Sequence, residues 1–130
     1  MQIDEIFEAD KRIEKKKRTT PLLNSPFLDE IADRQIFIKA ECLQHTGSFK
    51  FRGAWSAISA LEEKKQKKGI IAYSSGNHAQ GIAAVAKIFS CPAVIIMPSD
   101  APELKIENTK YYGAEVILYN RVEENREELG

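Results

Sequence analysis

The chain has 130 residues, 43% of them hydrophobic, with nineteen basic and nineteen acidic side chains. That length holds one domain with a real core. The balanced charge gives no net field that would draw the chain to nucleic acid or an anionic membrane.

The segment Ile3–Ile13 carries apolar residues at Ile3, Ile6, Phe7 and Ile13, which predicts a weakly amphipathic helix. Thr19-Thr20-Pro21 ends it, because proline disfavours a helical residue before it. Residues 35–41 place Ile36, Ile38 and Ala40 in alternation, with Phe37 out of pattern, and read as a strand. Ser48 is the expected N-cap of the next helix, on which Phe51, Ala54, Trp55, Ile58 and Leu61 fall at helical spacing. Gly69 stops the charged end of that helix. Residues 70–73 form a short apolar strand, 74–77 a turn, and 79–89 an alanine-rich helix with Ile82, Val85, Ala86 and Phe89 on one face. Residues 93–97 are apolar on both faces, as in a parallel sheet covered on both sides. Pro102 stands near the start of a helix over 103–112, where its missing N–H costs nothing, and Gly113 caps it. Residues 116–119 are a further strand and 123–129 begin a last helix with a thin apolar face, so the chain is expected to be cut short there.

The alternation of strand and helix implies an α/β fold: an open parallel sheet with helices on both faces and right-handed crossovers. Ligands sit beyond the carboxyl ends of the strands in such sheets, and the 74–78 turn lies at one of these ends. The charge clusters at 11–18, 62–68 and 123–128 read as solvated helix faces and flexible ends. No apolar run reaches membrane-spanning length, and the acidic start lacks the apolar stretch of a signal peptide. Cys42 and Cys91 show no motif spacing and read as small core residues in a reducing compartment; a cytoplasmic protein is expected.

Two segments carry chemistry. Ser48-Phe49-Lys50-Phe51-Arg52-Gly53-Ala54 puts Lys50 in the first turn of a helix, against the positive end of its dipole and between two phenyl rings. Both features favour a neutral, nucleophilic amine. The competing reading is a surface lysine whose stem lies along apolar surface. Ser74-Ser75-Gly76-Asn77-His78-Ala79-Gln80-Gly81 is a small polar turn at a helix start. Its backbone N–H groups would converge on an anion, with the hydroxyls of Ser74 and Ser75 and the amide of Asn77 beside them; an ordinary capped turn is the alternative. The spacing of a dinucleotide fingerprint is missing, as is the Gly-Lys-Ser/Thr of a phosphate loop. Cys42, His45, His78 and Cys91 lack paired ligand spacing, and no metal site is expected.

Together with Thr20-Pro21-Leu22, the run from Lys39 to Gly47 and the Met97-Pro98 turn, these segments resemble the N-terminal portion of the pyridoxal-phosphate-dependent threonine/serine dehydratases, enzymes of fold-type II. The resemblance runs from about Thr19 to the end of the chain. It implies that Lys50 binds the cofactor covalently and abstracts the substrate α-proton, that Phe49 lies beside the cofactor ring, and that Asn77 hydrogen-bonds the pyridoxal 3′-oxygen. Ser75, Gly76, Asn77 and His78 would receive the substrate carboxylate, and in racemases of the family the counterpart of Ser75 is the acid/base on the opposite face. The implied reaction is loss of water from L-threonine or L-serine to give a 2-oxo acid and ammonia. Serine racemases, hydroxyaspartate ammonia-lyases and dehydratases of hydroxyectoine breakdown are similar in these segments; Phe-Arg-Gly-Ala-Trp-Ser around Trp55 resembles the last group. The family's glycine-rich phosphate loop does not appear in these residues. The chain is therefore expected to be the smaller lobe (35–130) preceded by an N-terminal helical arm (1–34) that would pack on a missing larger lobe, with a homo-oligomer compatible. A non-catalytic α/β module that binds a small carboxylate is the reading from another class.

Overall fold

A computed structural model describes residues 2–130. Helix α1 (Ile3–Ile13) leads to a two-residue strand β1 (Leu22–Leu23), helix α2 (Pro26–Ala32) and strand β2 (Ile38–Lys39). Two single turns of 3-10 helix, Glu41–Leu43 and His45–Gly47, bring the chain to α3 (Lys50–Ser59) and α4 (Glu63–Lys68). The remainder alternates regularly as β3 (Ile70–Tyr73), α5 (Asn77–Ile88), β4 (Ala93–Pro98), α6 (Glu103–Tyr111) and β5 (Glu115–Tyr119). Strands β3, β4 and β5 lie side by side in that order, all parallel, with Ala72 opposite Ile95 and Ile95 opposite Val116. The expected α/β parallel layer is present.

One apolar face of this sheet, with Ala72, Ile95, Met97 and Val116, packs against Ala79, Ile82, Ala83 and Ala86 of α5 and Ile106 of α6. Phe51, Ala54, Trp55 and Ile58 of α3 close the core from the far side of α5. Helix α5 is thus held between sheet and α3, which explains its composition. Every residue from Ala79 to Ala86 is buried, as expected of a helix that is apolar all round. Its small side chains let both neighbours come close. On the other face of the sheet Ile71 and Tyr73 remain exposed, with the Arg126 guanidinium 5.8 Å from the Tyr73 ring centre.

Several local expectations are corrected. The strand over 35–41 shrinks to Ile38–Lys39 and pairs antiparallel with Leu22–Leu23, outside the parallel sheet. Of its alternating members Ala40 is buried, Ile36 half-buried and Ile38 exposed, as is Phe37, so the paired residues themselves lie at the surface. The helix expected to run past Leu61 breaks after Ser59, and a separate α4 ends at Gly69, whose φ is +97°. Gly113 closes α6 at φ +94°, as expected. Residues 123–129 form turns in place of a helix. Four glutamates there offer no apolar stripe to bury, and so short a segment cannot hold a helix by propensity alone. Cys42 is exposed on the turn Glu41–Leu43; only Cys91 is a core thiol, donating to the Gln66 carbonyl at 2.9 Å. No described helix is long and apolar enough to cross a membrane.

The N-terminal residues are tied down by two side chains. The indole N–H of Trp55 donates to the Arg12 carbonyl at 2.9 Å, with buried Ile13 beside it. The Gln44 carboxamide is 1% exposed and pairs with the Arg18 backbone like a neighbouring strand: its Oε1 accepts from Arg18 N–H and its Nε2 donates to Arg18 C=O, both at 2.9 Å. Gln44→Leu keeps the volume but strips both partners from the part-buried Arg18 peptide group. We expect it to cost about 1–2 kcal/mol, since the orphaned Arg18 groups are only part-buried and water can reach them. Urea titration with an unchanged slope would show this; a midpoint equal to wild type would contradict it.

Candidate active site

The two chemistry-bearing segments meet. Gly81 lies one turn into α5, against the start of α3. A Cβ placed there would stand 3.1 Å from the Lys50 carbonyl carbon and 3.2 Å from its oxygen. Glycine at this position lets two helix backbones touch, and the contact seats Lys50 beside the first turn of α5. Lys50 is half-buried, with Nζ 4.9 Å from the Phe49 ring centre. The His78 imidazole is pushed below its ordinary value, first by burial and second by the Lys50 charge. Burial and the neighbouring cation both favour the neutral imidazole.

Helix α3 begins at Lys50 itself. Phe49 is already helical (φ −62°), so Ser48, in extended conformation, is one residue too early to cap; its hydroxyl is buried without a partner. The chain reaches Ser48 through Thr46 and Gly47, both left-handed at φ 58° and 68°. For a β-branched residue that conformation is an outlier, held here by its surroundings.

What anchors the first turn of α3 is Arg52. Its guanidinium grips Glu41 bidentately, Nε to Oε2 and Nη2 to Oε1, each at 2.8 Å, while the Thr20 hydroxyl donates to Glu41 Oε1 at 2.6 Å. The Arg52 hydrogen bonds, helped by Thr20 and opposed by burial, hold the Glu41 carboxyl down at about 2. Because the folded value lies below the ordinary 4.5, this ion pair stabilises the fold fully above pH 4.5, and that contribution is lost as pH falls through 2. Glu41→Gln should flatten the acid limb of the stability curve across that window, measured as urea midpoint against pH. An acid limb identical to wild type would show that Glu41 contributes nothing to it.

At the start of α5, Ser74 Oγ accepts from the Gly76 N–H at 3.3 Å and the Ala79 N–H at 3.2 Å. Ser74 is thus the capping residue, and Ser75 is exposed. A Cβ on Gly76 would meet no atom within 4 Å, so glycine there leaves clearance in front of the helix end. The N–H groups of Asn77 and His78, in the first turn, have no intrahelical acceptor. Asn77 Oδ1 accepts from Lys105 Nζ of α6 at 2.5 Å.

A hollow of about 110 Å³ opens at the carboxyl ends of the strands, lined among others by Ser74, Ser75, Tyr119, Arg121 and Arg126. Arg121 is held by Asp100 at 2.7 Å. Sequence reasoning missed both arginines, because Arg126 sits in a run of glutamates that reads as a solvated face. It also missed Gly81 as a contact point and Lys105 as a partner of Asn77. Only Gly81, as an isolated glycine inside a helical pattern, carried a readable signal.

Residues 13–129 match the family described as "Pyridoxal-phosphate dependent enzyme". The chain belongs to that family. It is 48% identical to an L-threo-3-hydroxyaspartate ammonia-lyase of Pseudomonas sp over 97% of its own length and 40% of the relative's. It is 44% identical to the L-threonine ammonia-lyase of Thermotoga maritima over 92% of its length and 30% of that protein's. The structure of maize serine racemase superposes with a TM-score of 0.92 at 41% identity, covering 98% of this chain and 39% of that one. The chain thus spans two fifths or less of these relatives. It shares its fold with the pyridoxal-phosphate-dependent lyases and racemases of fold-type II.

The donor set fits the ring end of that cofactor. It offers a half-buried amine for the aldehyde, an aromatic ring beside that amine, and an amide whose oxygen is already engaged, leaving its NH2 to donate.

Proposed function

We propose that this chain supplies the cofactor-carrying lobe of an ammonia-lyase that removes water from L-threonine or L-serine, yielding a 2-oxo acid and ammonia. The contact of Gly81 with the Lys50 backbone carries the reading, because it brings the amine and the α5 N-terminus to one place. Lys50 holds the cofactor and takes the substrate α-proton. Phe49 flanks the ring, and the Asn77 NH2 donates to the pyridoxal 3′-oxygen. When bound, the cofactor supplies an electron sink for the broken Cα–H bond. The free N–H groups of Asn77 and His78, the Gly76 clearance and the Ser75 hydroxyl receive the substrate carboxylate. Neutral His78 binds it without adding a second cation next to Lys50. The phosphate cradle is proposed to lie outside these residues, on a second lobe required for turnover; the short span of the relatives covered supports this.

A second reading is a hydroxyaspartate ammonia-lyase. It is favoured by Arg121 and Arg126, which line the hollow beside Ser75; Arg121 is already paired with Asp100, so Arg126 is the cation that would meet a second carboxylate.

The test is a pyridoxal-phosphate titration, trapped with borohydride and mapped by mass spectrometry, followed by ammonia release from threonine, serine and threo-3-hydroxyaspartate. Saturable labelling at Lys50 alone supports the enzyme reading, and the best of the three substrates chooses between the two lyases. Scattered adducts on many lysines would overturn the proposed role of Lys50 and favour a carboxylate-binding module.

A further inference from the structure

Helices α5 and α6 are joined by two polar rungs spaced three residues apart on each helix. Lys105 Nζ donates to Asn77 Oδ1 at 2.5 Å, and Asn108 Nδ2 donates to Gln80 Oε1 at 3.4 Å. The Thr109 hydroxyl, fully buried, donates to the Lys105 carbonyl at 2.7 Å and fastens the turn that carries Lys105.

The first rung has a chemical consequence. A carboxamide can turn over, exchanging an acceptor for a donor at nearly the same position. An ammonium is a donor only, so the atom it meets on Asn77 must be the oxygen. The Asn77 NH2 is then committed to the opposite side. The pyridoxal 3′-oxygen, when ionised, accepts only, and an Asn77 turned the wrong way would oppose it oxygen to oxygen. We infer that Lys105 is a positioning residue for the cofactor site: it fixes the Asn77 carboxamide so that a donor faces the 3′-oxygen. The inference rests on the proposed cofactor role of Asn77. Lys105 touches neither cofactor nor substrate and acts through Asn77 alone.

The test compares Lys105→Met, which keeps the stem and removes the donor, with Lys105→Arg, which keeps a donor-only head. Each is purified as the full-length protein, alongside Asn77→Ala and the Asn77→Ala/Lys105→Met double variant. Pyridoxal-phosphate affinity and the visible absorption of the bound cofactor are measured, together with the urea midpoint. Lys105→Met is expected to weaken cofactor binding about tenfold, the worth of one hydrogen bond to a charged group, and to change the absorption spectrum. Lys105→Arg should restore both. The urea midpoints of the Lys105 variants should stay near wild type, because the residue is only partly buried and both replacements keep its apolar stem. The double variant should bind no worse than Asn77→Ala, since the lysine has nothing left to orient. Wild-type affinity and spectrum in Lys105→Met would overturn the inference while leaving the cofactor site standing. So would a Lys105→Met effect that adds in full to that of Asn77→Ala. If the wild-type protein itself takes up no cofactor at Lys50, the functional reading falls and the inference falls with it.

Discussion

Lys50→Ala is expected to abolish the borohydride-fixed cofactor adduct and to lower ammonia release from threonine by at least about 10³-fold, because attachment and proton transfer both rest on one amine. Stability should hardly change. The Lys50 head contacts the Phe49 ring at 4.9 Å, an interaction worth about 1 kcal/mol at this half-buried site. A variant that released ammonia at the original rate would sink the assignment. An independent readout needs no cofactor at all. Burial and the Lys50 charge both depress His78, in that order. Removing the lysine should therefore move the His78 titration part of the way up, with the burial effect remaining. A fixed His78 titration would mean that the two groups are not neighbours in solution.

Gly81→Ala is expected to damage fold and site together. Alanine is the better helix former by up to about 1 kcal/mol, which alone would stabilise α5. Against this stands a Cβ at 3.1 to 3.3 Å from the carbonyl carbon, carbonyl oxygen and following nitrogen of Lys50. These are backbone atoms in a helix whose Phe51, Ala54 and Trp55 are buried in the core, so little room exists to yield. Overpacking of this kind costs about 1–3 kcal/mol, and we expect a net loss of about 1–2 kcal/mol. The larger effect is on the site. Pushing α3 from α5 shifts Lys50 relative to Asn77 and His78, and misplacement by about an ångström can cost on the order of 10²-fold in rate. Gly81→Val should be worse on both counts. An unchanged urea midpoint together with unchanged cofactor affinity would refute the argument.

The parts of the fold that the sequence foretells are those whose packing demands one residue class. Residues 93–97 are apolar on both faces because β4 is the central strand, and the alanines of α5 announce a helix pressed from two sides. Gly69 and Gly113 mark left-handed caps that other side chains rarely adopt. The parts that escape are built by single contacts. The β1–β2 pair consists of exposed Leu22, Leu23, Ile38 and Lys39, so no burial pattern reveals it. Gln44 replaces a strand partner with one amide, and nothing in its neighbours says so. At the site, Lys50 and the 75–78 turn are legible because their chemistry is rare in combination. Choosing Ser74 over Ser75 as the cap, or pairing Lys105 with Asn77, depends on geometry across helices, where local sequence is silent.

The single tryptophan of the chain is also a built-in observer. Trp55 lies between the N-terminal helix and the core, its indole N–H held by the Arg12 carbonyl and its ring 5.0 Å from that of Phe89. Detachment of α1 would wet the indole and shift its emission to the red while the parallel sheet stayed intact. Fluorescence therefore follows the docking of the N-terminal segment, and far-ultraviolet dichroism follows the whole fold. Any gap between the two denaturation curves measures how independently that segment comes loose.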